Sequence, residues 1–380
     1  MADSTAVVAK KGLEDIIAGT SAVCFIDGRE GRLIYRGYDI HDLVNGGATF
    51  EEVAYLVLNG ALPNQSQLDE FIGQIRAEQN LPSEILAQML RLPASANGME
   101  VLRTIVSNLS FFDEDVADNS REANYRKTIR LIAKTPLVVA LFHRIRSGGD
   151  LVMPRNDLSI AGNFLYMLFG KEPSAAHTRV IDVALTLHAD HEFNASTFTA
   201  RCIAATLSDM HSAVTGAIGA LKGPLHGGAN EQVMKMLLEI GEVAAAKEWI
   251  TDALASKKKV MGFGHRVYKT EDPRATHLRQ MSKQLGEEAG ETKWFEMSRI
   301  IEDYVLEQKH LYPNVDFYSA SAYYMMGIPI DLYTPIFAMS RMVGWTAHIM
   351  EQQADNRIIR PASEYTGPTE LKYAPITERN

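Results

Sequence analysis

The chain has 380 residues, of which 46% are hydrophobic and 22% are charged, and it carries a formal net charge of −9 at pH 7. This length suits a large core and roughly two or three domains, and the acidic balance argues against nucleic acid as a partner, because its phosphates attract basic surfaces. No apolar run approaches the about 18 residues that a membrane span needs, and with only two cysteines a reducing cytoplasm is the expected compartment. A small anionic substrate remains compatible with this composition, since a local cluster of Arg and His can outweigh the overall sign.

The first predicted element is a β-hairpin near the N-terminus. Its strands are residues 22–26 and 32–35, on either side of the glycine-containing turn 27–31. The next element is a helix that runs from the capping-box pattern TFEE at 49–52 to Leu58.

The later predicted elements are helices. Ser66 is the predicted N-cap of one helix, and Ser83 opens another. Further helical stretches are predicted near 97–109, 121–146 with a bend at Pro136, 157–169, 177–190, 196–207, 209–221 and 228–240. Because strands and helices do not alternate, the pattern excludes a nucleotide-binding α/β sheet and predicts an all-α fold.

A histidine stands in an unusually tight setting in the segment 223–233, GPLHGGANEQV. His226 follows a proline and precedes two glycines and an apolar-periodic run, so it is expected at or just before a helix N-terminus. The partial positive charge of that end lowers the pKa of an imidazole and favours its neutral form. The alternative is a turn histidine with no role in chemistry.

A second glycine turn opens the segment 262–274, GFGHRVYKTEDPR. One histidine, two arginines and one lysine follow within a few residues, which suits the binding of carboxylates or phosphates. The dinucleotide-binding fingerprint is absent, because no third glycine follows at the required offset. The alternative is an exposed basic loop, and the lysine run 257–259 is likewise either a solvated helix end or an anion-binding edge.

Three further stretches contain polar residues in apolar surroundings. Asp316 precedes a helical run and is either an N-cap or a general base whose pKa is raised by apolar neighbours. Arg341 lies in an apolar helix and needs an ion-pair partner or a bound anion. His188 and His191 are spaced i, i+3, yet they lack the zincin spacing and a third ligand nearby, so a structural pair or a substrate contact is favoured over a metal site.

Taken in order, the segments HADHEFNAST, GPLHGGANE, GFGHRVYKTEDPRA, PNVDFYSA, SRMVGW and IIRP closely resemble the citrate synthase family, from about residue 12 to the C-terminus. The resemblance is to the shorter bacterial and archaeal type, which includes the 2-methylcitrate synthases. It implies an all-α fold with a minor N-terminal β-hairpin and with two helical domains separated by a cleft. The large domain would comprise 1–226 and 327–380, the small domain 227–326, and the protein would be a homodimer.

The resemblance also implies a reaction. An acyltransferase of this family joins acetyl-CoA to the ketone of oxaloacetate and then hydrolyses the thioester to give citrate and CoA. By the match, Asp316 is the base that removes a methyl proton. His226, at the hinge edge of the cleft, donates a hydrogen bond to the thioester oxygen, and His265 polarises the ketone.

Binding residues follow from the same match. The carboxylates of oxaloacetate would be held by His191, Arg274 and Arg341, with Arg360 contributed by the partner subunit and with Asn194 and Ser196 in support. The turn Gly262-Phe263-Gly264 would offer backbone groups to the adenine of CoA, and Lys269, Lys257 and Lys309 would contact its phosphates. Neither a metal nor a permanently bound cofactor is implied, since the acyl-CoA is a co-substrate.

Three alternatives remain at this point. The first is a 2-methylcitrate synthase that uses propionyl-CoA, because one methylene is worth only about 1–3 kcal/mol of discrimination and the segment 323–329 resembles both groups. The second is a catalytically silent module that binds CoA or a dicarboxylate. The third is a metal-dependent hydrolase built on His188 and His191.

Overall fold

The computed structural model describes residues 10–13 and 16–379, and the first regular structure in it is a small antiparallel sheet. Strands β1 (Cys24–Asp27) and β2 (Arg32–Tyr35) form the predicted hairpin, with Cys24 opposite Tyr35 and Asp27 opposite Arg32. A third strand, β3 (Tyr38–Asp39), pairs with β2, so the predicted hairpin is confirmed and is extended by two residues.

Within the described residues, all regular structure after β3 is helical, which confirms the predicted fold class. The helices are α1 (Ile40–Asn45), α2 (Phe50–Asn59), α3 (Gln65–Ala77), α4 (Ser83–Met89), α5 (Gly98–Leu109), α6 (Arg121–Arg146), α7 (Ile160–Phe169), α8 (Ala175–His188), α9 (Ala195–Ala204), α10 (Met210–Leu221), α11 (Ala229–Ile240), α12 (Val243–Ala255), α13 (Pro273–Ala289), α14 (Lys293–Lys309), α15 (Val315–Met325) and α16 (Tyr333–Ala354). Short 3-10 turns lie at Lys11–Leu13, Ser110–Phe112, Ile330–Leu332 and Ile376–Glu378.

Helix starts agree with the capping patterns except at α3. The capping box of α2 is present, with Thr49 and Glu52 bonded reciprocally. The prediction that Ser66 caps α3 is wrong, because Asn64 takes that role and forms its own capping box with Gln67. An asparagine side chain accepts the free backbone N–H groups as well as a serine does, so the pattern alone did not discriminate between the two.

The helices pack in two groups. Helix α16 lies at the centre of the first group and contacts α2, α6, α8, α9 and α10. Helices α11 to α15 form the second group, in which α15 packs on α11 and α13 while α12 packs on α14. The groups touch where α11 meets α16 and where α13 meets α1 and α8. The loops that carry the predicted site residues lie along this junction.

Among residues 10–13 and 16–379, no helix has both the length and the apolar character needed to cross a membrane.

Candidate active site

His226 lies in a tight turn between α10 and α11. The turn is closed by backbone hydrogen bonds from His226 to Gly223 (2.9 Å) and from Gly227 to Leu221 (2.9 Å). A Cβ on Gly227 would lie 2.6 Å from a side-chain carbon of Leu221, so the turn requires a glycine there. Since α11 begins at Ala229, the predicted place of His226 just before a helix is confirmed.

The tautomer of His226 follows from its contacts with Ser196. The backbone N–H of Ser196 donates to Nε2 over 3.4 Å, and the Ser196 hydroxyl lies 2.8 Å from the same nitrogen. Because a backbone N–H only donates, Nε2 is an acceptor and the imidazole proton lies on Nδ1. Burial lowers the pKa of His226 to about 3, helped by the positive charges of Arg341 and Arg274. The expected neutral imidazole therefore arises from burial and two arginines.

His265 is held by its own loop. Nδ1 of His265 accepts hydrogen bonds from the backbone N–H groups of Val267 (3.0 Å) and Tyr268 (3.2 Å), which leaves its proton on Nε2. Burial, followed by the charge of Arg274, lowers the pKa of His265 to about 4. The ring lies 5.1 Å from that of His191, whose Nε2 is 3.2 Å from the hydroxyl of Tyr268. His265, like His226, is thus a neutral imidazole with a defined tautomer.

The glycine turn at 262–264 connects the His265 loop to the start of α15. Gly264 N–H donates to Tyr312 O (3.0 Å), Asn314 N–H donates to Gly262 O (2.9 Å), and the Asn314 amide donates to Gly264 O (3.1 Å). These hydrogen bonds fix the shape of the turn Gly262-Phe263-Gly264, which stays the predicted contact for the adenine of CoA. Both glycines have left-handed φ, 82° and 77°, which favours glycine.

Asp316 lies in the first turn of α15. The N-cap of this helix is Asn314, whose side chain accepts from the Asp316 N–H (3.1 Å), so the alternative of Asp316 as an N-cap is wrong. Its side chain is buried, and Oδ1 has no hydrogen-bond partner within the described chain. Burial raises the pKa of Asp316 to about 7, with Asp272 adding to the rise while Arg274 opposes it. A pKa near 7 suits a general base that works at neutral pH, which keeps the second alternative for Asp316 as a prediction.

Arg274 and Arg341, the two arginines of this chain predicted to hold the substrate carboxylates, have different partners. Arg274 makes a bidentate ion pair with Asp272, with contacts of 2.9 and 2.7 Å, so its charge is balanced inside the protein. Arg341 donates from Nε to His188 O (2.7 Å) and lies over the ring of Phe337 at 4.8 Å. Its Nη1 and Nη2 have no partner in the part of the chain that is described, although only 1% of the residue is exposed.

Burial accordingly lowers the pKa of Arg341 to about 10. A buried guanidinium with unused donors is unfavourable by itself and is stabilised by a bound anion. The two unpaired nitrogens of Arg341 are therefore a candidate receptor for a carboxylate.

The paired histidines do not share a helix face, because α8 ends at His188 and His191 lies beyond it. His188 donates from Nδ1 to Ala184 O (2.7 Å), and its Nε2 has no partner among the described residues. Burial, followed by the charge of Arg274, lowers the pKa of both histidines, to about 3 for His188. Within residues 10–13 and 16–379, no group of three His, Cys, Asp or Glu is placed to hold a metal ion.

Asn194 shapes the loop that carries His191. Its Oδ1 caps α9 by accepting from the N–H groups of Ser196 and Thr197 (3.1 Å each), and its amide donates to His191 O (3.2 Å). Asn194 and Ser196 thus contact the residues predicted to bind substrate, as expected of supporting groups.

Sequence reasoning missed several residues that complete the site. Tyr268 contacts His191, Trp345 donates to the Ser196 hydroxyl (3.1 Å), and Phe337 packs against both Arg341 and His188. Asp272, before Pro273, is the N-cap of α13, which the Asp-Pro pattern could have indicated. The others gave no sequence signal, because they depend on contacts between distant segments.

A further interaction that the sequence did not indicate joins His348 to Asp190, next to His191. His348 Nε2 is 3.1 Å from Asp190 Oδ2, and both residues are fully buried. Burial lowers the pKa of His348, but the Asp190 carboxylate outweighs it and raises that pKa above its usual value. The pair anchors the segment next to His191.

The remaining predicted residues are exposed. Lys257 follows α12, Lys309 ends α14, and Lys269 lies in the His265 loop. Arg360 lies in the extended segment after α16. The structure thus brings His191, His226, His265, Arg274, Asp316 and Arg341 into one region, where His226 and His265 are partly exposed and the other four are buried, and it leaves the other charged candidates on the surface.

Residues 12–362 match the family model described as the C-terminal domain of citrate synthase. The chain is 54% identical to "Citrate synthase 2" of Bacillus subtilis, over 98% of this chain and 100% of that one, and 44% identical to the 2-methylcitrate synthase of Shewanella oneidensis, over 97% of each. The citrate synthase of Thermotoga maritima superimposes with a TM-score of 0.89 at 41% identity, covering 98% of this chain and 100% of that one. The Thermoplasma acidophilum enzyme, solved with carboxymethyl coenzyme A and oxaloacetate, gives 0.91 at 33% identity, covering 97% and 98%. The chain belongs to the citrate synthase family of acyltransferases.

Proposed function

We propose that the protein is a citrate synthase, which condenses acetyl-CoA with oxaloacetate and hydrolyses the resulting thioester to citrate and CoA. The observation that carries this proposal is the coexistence, in one region, of a buried carboxyl with an unbonded oxygen and a buried guanidinium with unpaired donors. Asp316 has a pKa of about 7 and an unbonded Oδ1, and Arg341 has two donors without a partner among the described residues. The backbone N–H of Val315, next to Asp316, donates to Asp272 over 3.2 Å, and Asp272 pairs with Arg274, so the base lies in the same region as this arginine.

The first step is removal of a proton from the methyl carbon of the thioester. Asp316 accepts this proton, because its raised pKa makes it a stronger base than an ordinary carboxylate. The enolate that forms needs a hydrogen-bond donor at its oxygen. His226 supplies this donor from Nδ1, since Nε2 is engaged by Ser196. Its low pKa keeps the imidazole neutral, so it stabilises the enolate without releasing its own proton outright.

The second step is attack of the enolate on the ketone of oxaloacetate. His265 donates from Nε2 to the ketone oxygen, because its Nδ1 is occupied by two backbone N–H groups. Arg341 binds a carboxylate of oxaloacetate through its two unused nitrogens, and His191 lies beside His265 to contact the same substrate. Arg274 binds a carboxylate through Nη1, because Asp272 engages its Nε and Nη2.

We propose the domain division at 227–326, with the large domain formed by 1–226 and 327–380. The packing of α11 to α15 on one another supports this division. His226 then lies at the hinge, in a turn that joins α10 of one domain to α11 of the other. Opening at this hinge would admit the substrates, and closing would exclude water from the enolate.

We propose a homodimer in which Arg360 of each chain completes the site of the other. Arg360 is exposed, and the segment after α16 carries large apolar side chains that are also exposed, namely Ile358, Tyr365, Leu371, Tyr373 and Ile376. Apolar side chains in an extended segment suit burial against a second chain. A guanidinium from that chain would supply a further contact for the dicarboxylate.

The exposed lysines Lys257, Lys269 and Lys309 are proposed to contact the phosphates of CoA, which is a co-substrate and is released after each turnover.

Acetyl-CoA is favoured over propionyl-CoA because the relative at 54% identity is named a citrate synthase, whereas the 2-methylcitrate synthase is 44% identical.

Both cysteines are free thiols, which suits a reducing cytoplasm as the proposed location.

Thiol release from acetyl-CoA and from propionyl-CoA, each with oxaloacetate, tests the proposal. The expected result is a higher kcat/KM for acetyl-CoA. A preference for propionyl-CoA would favour 2-methylcitrate synthase, and no thiol release with either would favour a silent binding module. Activity that survives exhaustive chelation removes the metal-dependent hydrolase.

A further inference from the structure

The turn between β1 and β2 lies directly against the loop that carries His265. Lys269 N–H donates to Gly28 O over 2.7 Å. A Cβ on Gly28 would overlap the carbonyl oxygen of Val267 and would lie 2.9 Å from its carbonyl carbon. The contact is therefore made by backbone atoms on both sides, and it leaves no room for a side chain at Gly28.

A second glycine of the turn fits equally closely. A Cβ on Gly31 would lie 2.8 Å from Thr270 Cγ2 and 3.0 Å from Glu271 O. The turn itself is shaped by Asp27, whose Oδ1 accepts from the N–H groups of Arg29 (2.9 Å) and Glu30 (3.0 Å). The turn is thus a preformed surface that matches the loop from Val267 to Glu271.

Val267 connects this contact to the imidazole. Its carbonyl faces Gly28, while its N–H is one of the two donors to Nδ1 of His265. The other donor, Tyr268, lies between Val267 and Lys269, so both donors are adjacent to anchored positions. A shift of Val267 would weaken the two hydrogen bonds that fix the ring and keep its proton on Nε2.

We infer that the β1–β2 turn is a positioning element for His265, which holds the loop so that Nε2–H points at the ketone of the substrate. This inference rests on the proposed function of His265. In the proposed domain division, Gly28 belongs to the large domain and His265 to the small one. The contact therefore crosses the cleft. Closure of the cleft forms this contact and thereby orients His265.

The variant that tests this inference most directly is Gly28→Ala, which adds one methyl group against Val267. We expect kcat to fall on the order of 10²-fold, as for a small misplacement of a reacting group. The matched control is Gly73→Ala in α3, where an added Cβ meets no heavy atom of the described residues within 4 Å. The control is expected to keep the wild-type kcat.

Two readouts separate positioning from a general loss of structure. The first is the tautomer of His265, read by long-range 1H–15N correlation on 15N-histidine protein and assigned with His265→Asn. We expect one Nε2–H tautomer in the wild type and a mixture in Gly28→Ala. The second is the pH at which the His265 resonances titrate, which should rise in Gly28→Ala, since the two N–H donors favour neutral His265. The charged groups acting on this ring are Arg274, Asp272 and Lys269, the rings of His191 and Tyr268 pack against it, and none of these is changed.

A second pair of variants covers the case in which Gly28→Ala does not fold. Asp27→Ala removes the acceptor that shapes the turn without adding bulk, and Asp27→Asn keeps an oxygen at Oδ1. We expect a lower kcat and a mixed His265 tautomer for Asp27→Ala, and near wild-type values for Asp27→Asn.

Wild-type kcat and a single tautomer in every folded turn variant would overturn the inference. Absence of condensation by the wild type would instead overturn the proposed function, and the tautomer comparison would still decide whether the turn orients His265.

Discussion

The hydroxyl of Ser196 lies 2.8 Å from Nε2 of His226, although 30 residues separate them in sequence. Trp345 donates to the same hydroxyl over 3.1 Å, so a residue of α16 fixes a residue of α9, which in turn fixes the hinge histidine. This relay leaves Nδ1 of His226 available for the proposed hydrogen bond to the thioester oxygen. It ties the orientation of His226 to the helix that also carries Arg341.

Replacing Ser196 with Ala should therefore affect turnover more than binding. Without the hydroxyl, Nε2 keeps only the long 3.4 Å contact with the backbone, and the ring is free to exchange tautomers. We expect kcat to fall about 10- to 100-fold with the KM for oxaloacetate nearly unchanged. Steady-state kinetics with both substrates measures this split. Ser107→Ala on the exposed face of α5 is the control, and an unchanged kcat in Ser196→Ala would show that the hydroxyl does not orient His226.

Asp316 should set the acid limb of the pH profile. Its carboxyl must be ionised to accept a proton, so activity should rise with pH through about 7, the raised pKa of this group in the free protein. Asp316→Asn should abolish condensation while oxaloacetate still binds, as measured by calorimetry. Asp303→Asn, at an exposed position on α14, is the control. Equal loss of binding and turnover in Asp316→Asn would make Asp316 a structural residue.

The same carboxyl should make the unliganded protein less stable at higher pH. Its folded pKa lies above the ordinary value of 3.8, so between pH 3.8 and about 7 the folded state holds a proton that the unfolded state has lost. Stability from this group therefore falls as pH rises through that window. Asp316→Asn should raise the free energy of unfolding at pH 8 by on the order of a few kcal/mol. Denaturant titrations at pH 5 and pH 8 test this, and a gain that is equal at both values would contradict the assignment.

Arg341 should stabilise the complex and destabilise the empty protein. Its two terminal nitrogens lack partners among the described residues, so Arg341→Met should leave the thermal midpoint of the unliganded protein equal or higher. Oxaloacetate at 100 times its Kd should stabilise the wild type by about 2.7 kcal/mol and leave the variant unchanged. Thermal unfolding with and without oxaloacetate measures both effects. Arg91→Met, at an exposed position after α4, should retain the shift, and a retained shift in Arg341→Met would remove Arg341 from the clamp.

The sequence predicted the helices and the hairpin because their signals are local. Apolar periodicity, the capping box at Thr49 and the glycine-containing turn after β1 each lie within a few residues. The identity of the site residues came from a family resemblance over ordered motifs. Burial, which sets the pKa of Asp316 and of Arg341, is a property of the packed fold and has no local signature.

Two contacts had not been anticipated from local patterns. Arg274, predicted to bind a carboxylate of the substrate, also pairs with Asp272 at the start of α13. The turn at 262–264, predicted to contact adenine, pairs with residues 312–314, which are remote in sequence, so its shape depends on the tertiary fold.

A histidine pair at the junction of the two helix groups should contribute to acid sensitivity. His41 Nδ1 and His277 Nε2 lie 2.8 Å apart, joining α1 to α13. Burial, then His41 and Arg179, lower the pKa of His277 to about 4, while Asp39 opposes them. Between pH 4 and 6.5 the unfolded state therefore binds more protons than the folded state, so stability rises with pH across this window.

His277→Gln should reduce the difference in unfolding free energy between pH 7.5 and pH 5 by on the order of 1 kcal/mol. A glutamine amide has both a donor and an acceptor for His41 Nδ1, so the hydrogen bond is kept while the titration is removed. Denaturant titrations at the two pH values measure the difference. His310→Gln, at the exposed end of α14, should leave it unchanged, and so should His277→Gln if the pair does not titrate in this range.

The proposed sharing of sites between chains predicts complementation. In a heterodimer of Arg360→Ala and Asp316→Asn chains, one site has an intact Asp316 together with Arg360 of the partner subunit, and the other site lacks both. Each parent homodimer should be nearly inactive, whereas purified heterodimers should reach about half of the wild-type rate per dimer, because two-fold symmetry leaves one of the two sites whole. The matched control is a heterodimer of His226→Ala and Asp316→Asn chains. Both of those residues act within one chain, so neither of its sites is intact and no activity should return. Recovery in the first heterodimer alone places Arg360 in the neighbouring site, while equal inactivity of both heterodimers would confine each site to a single chain.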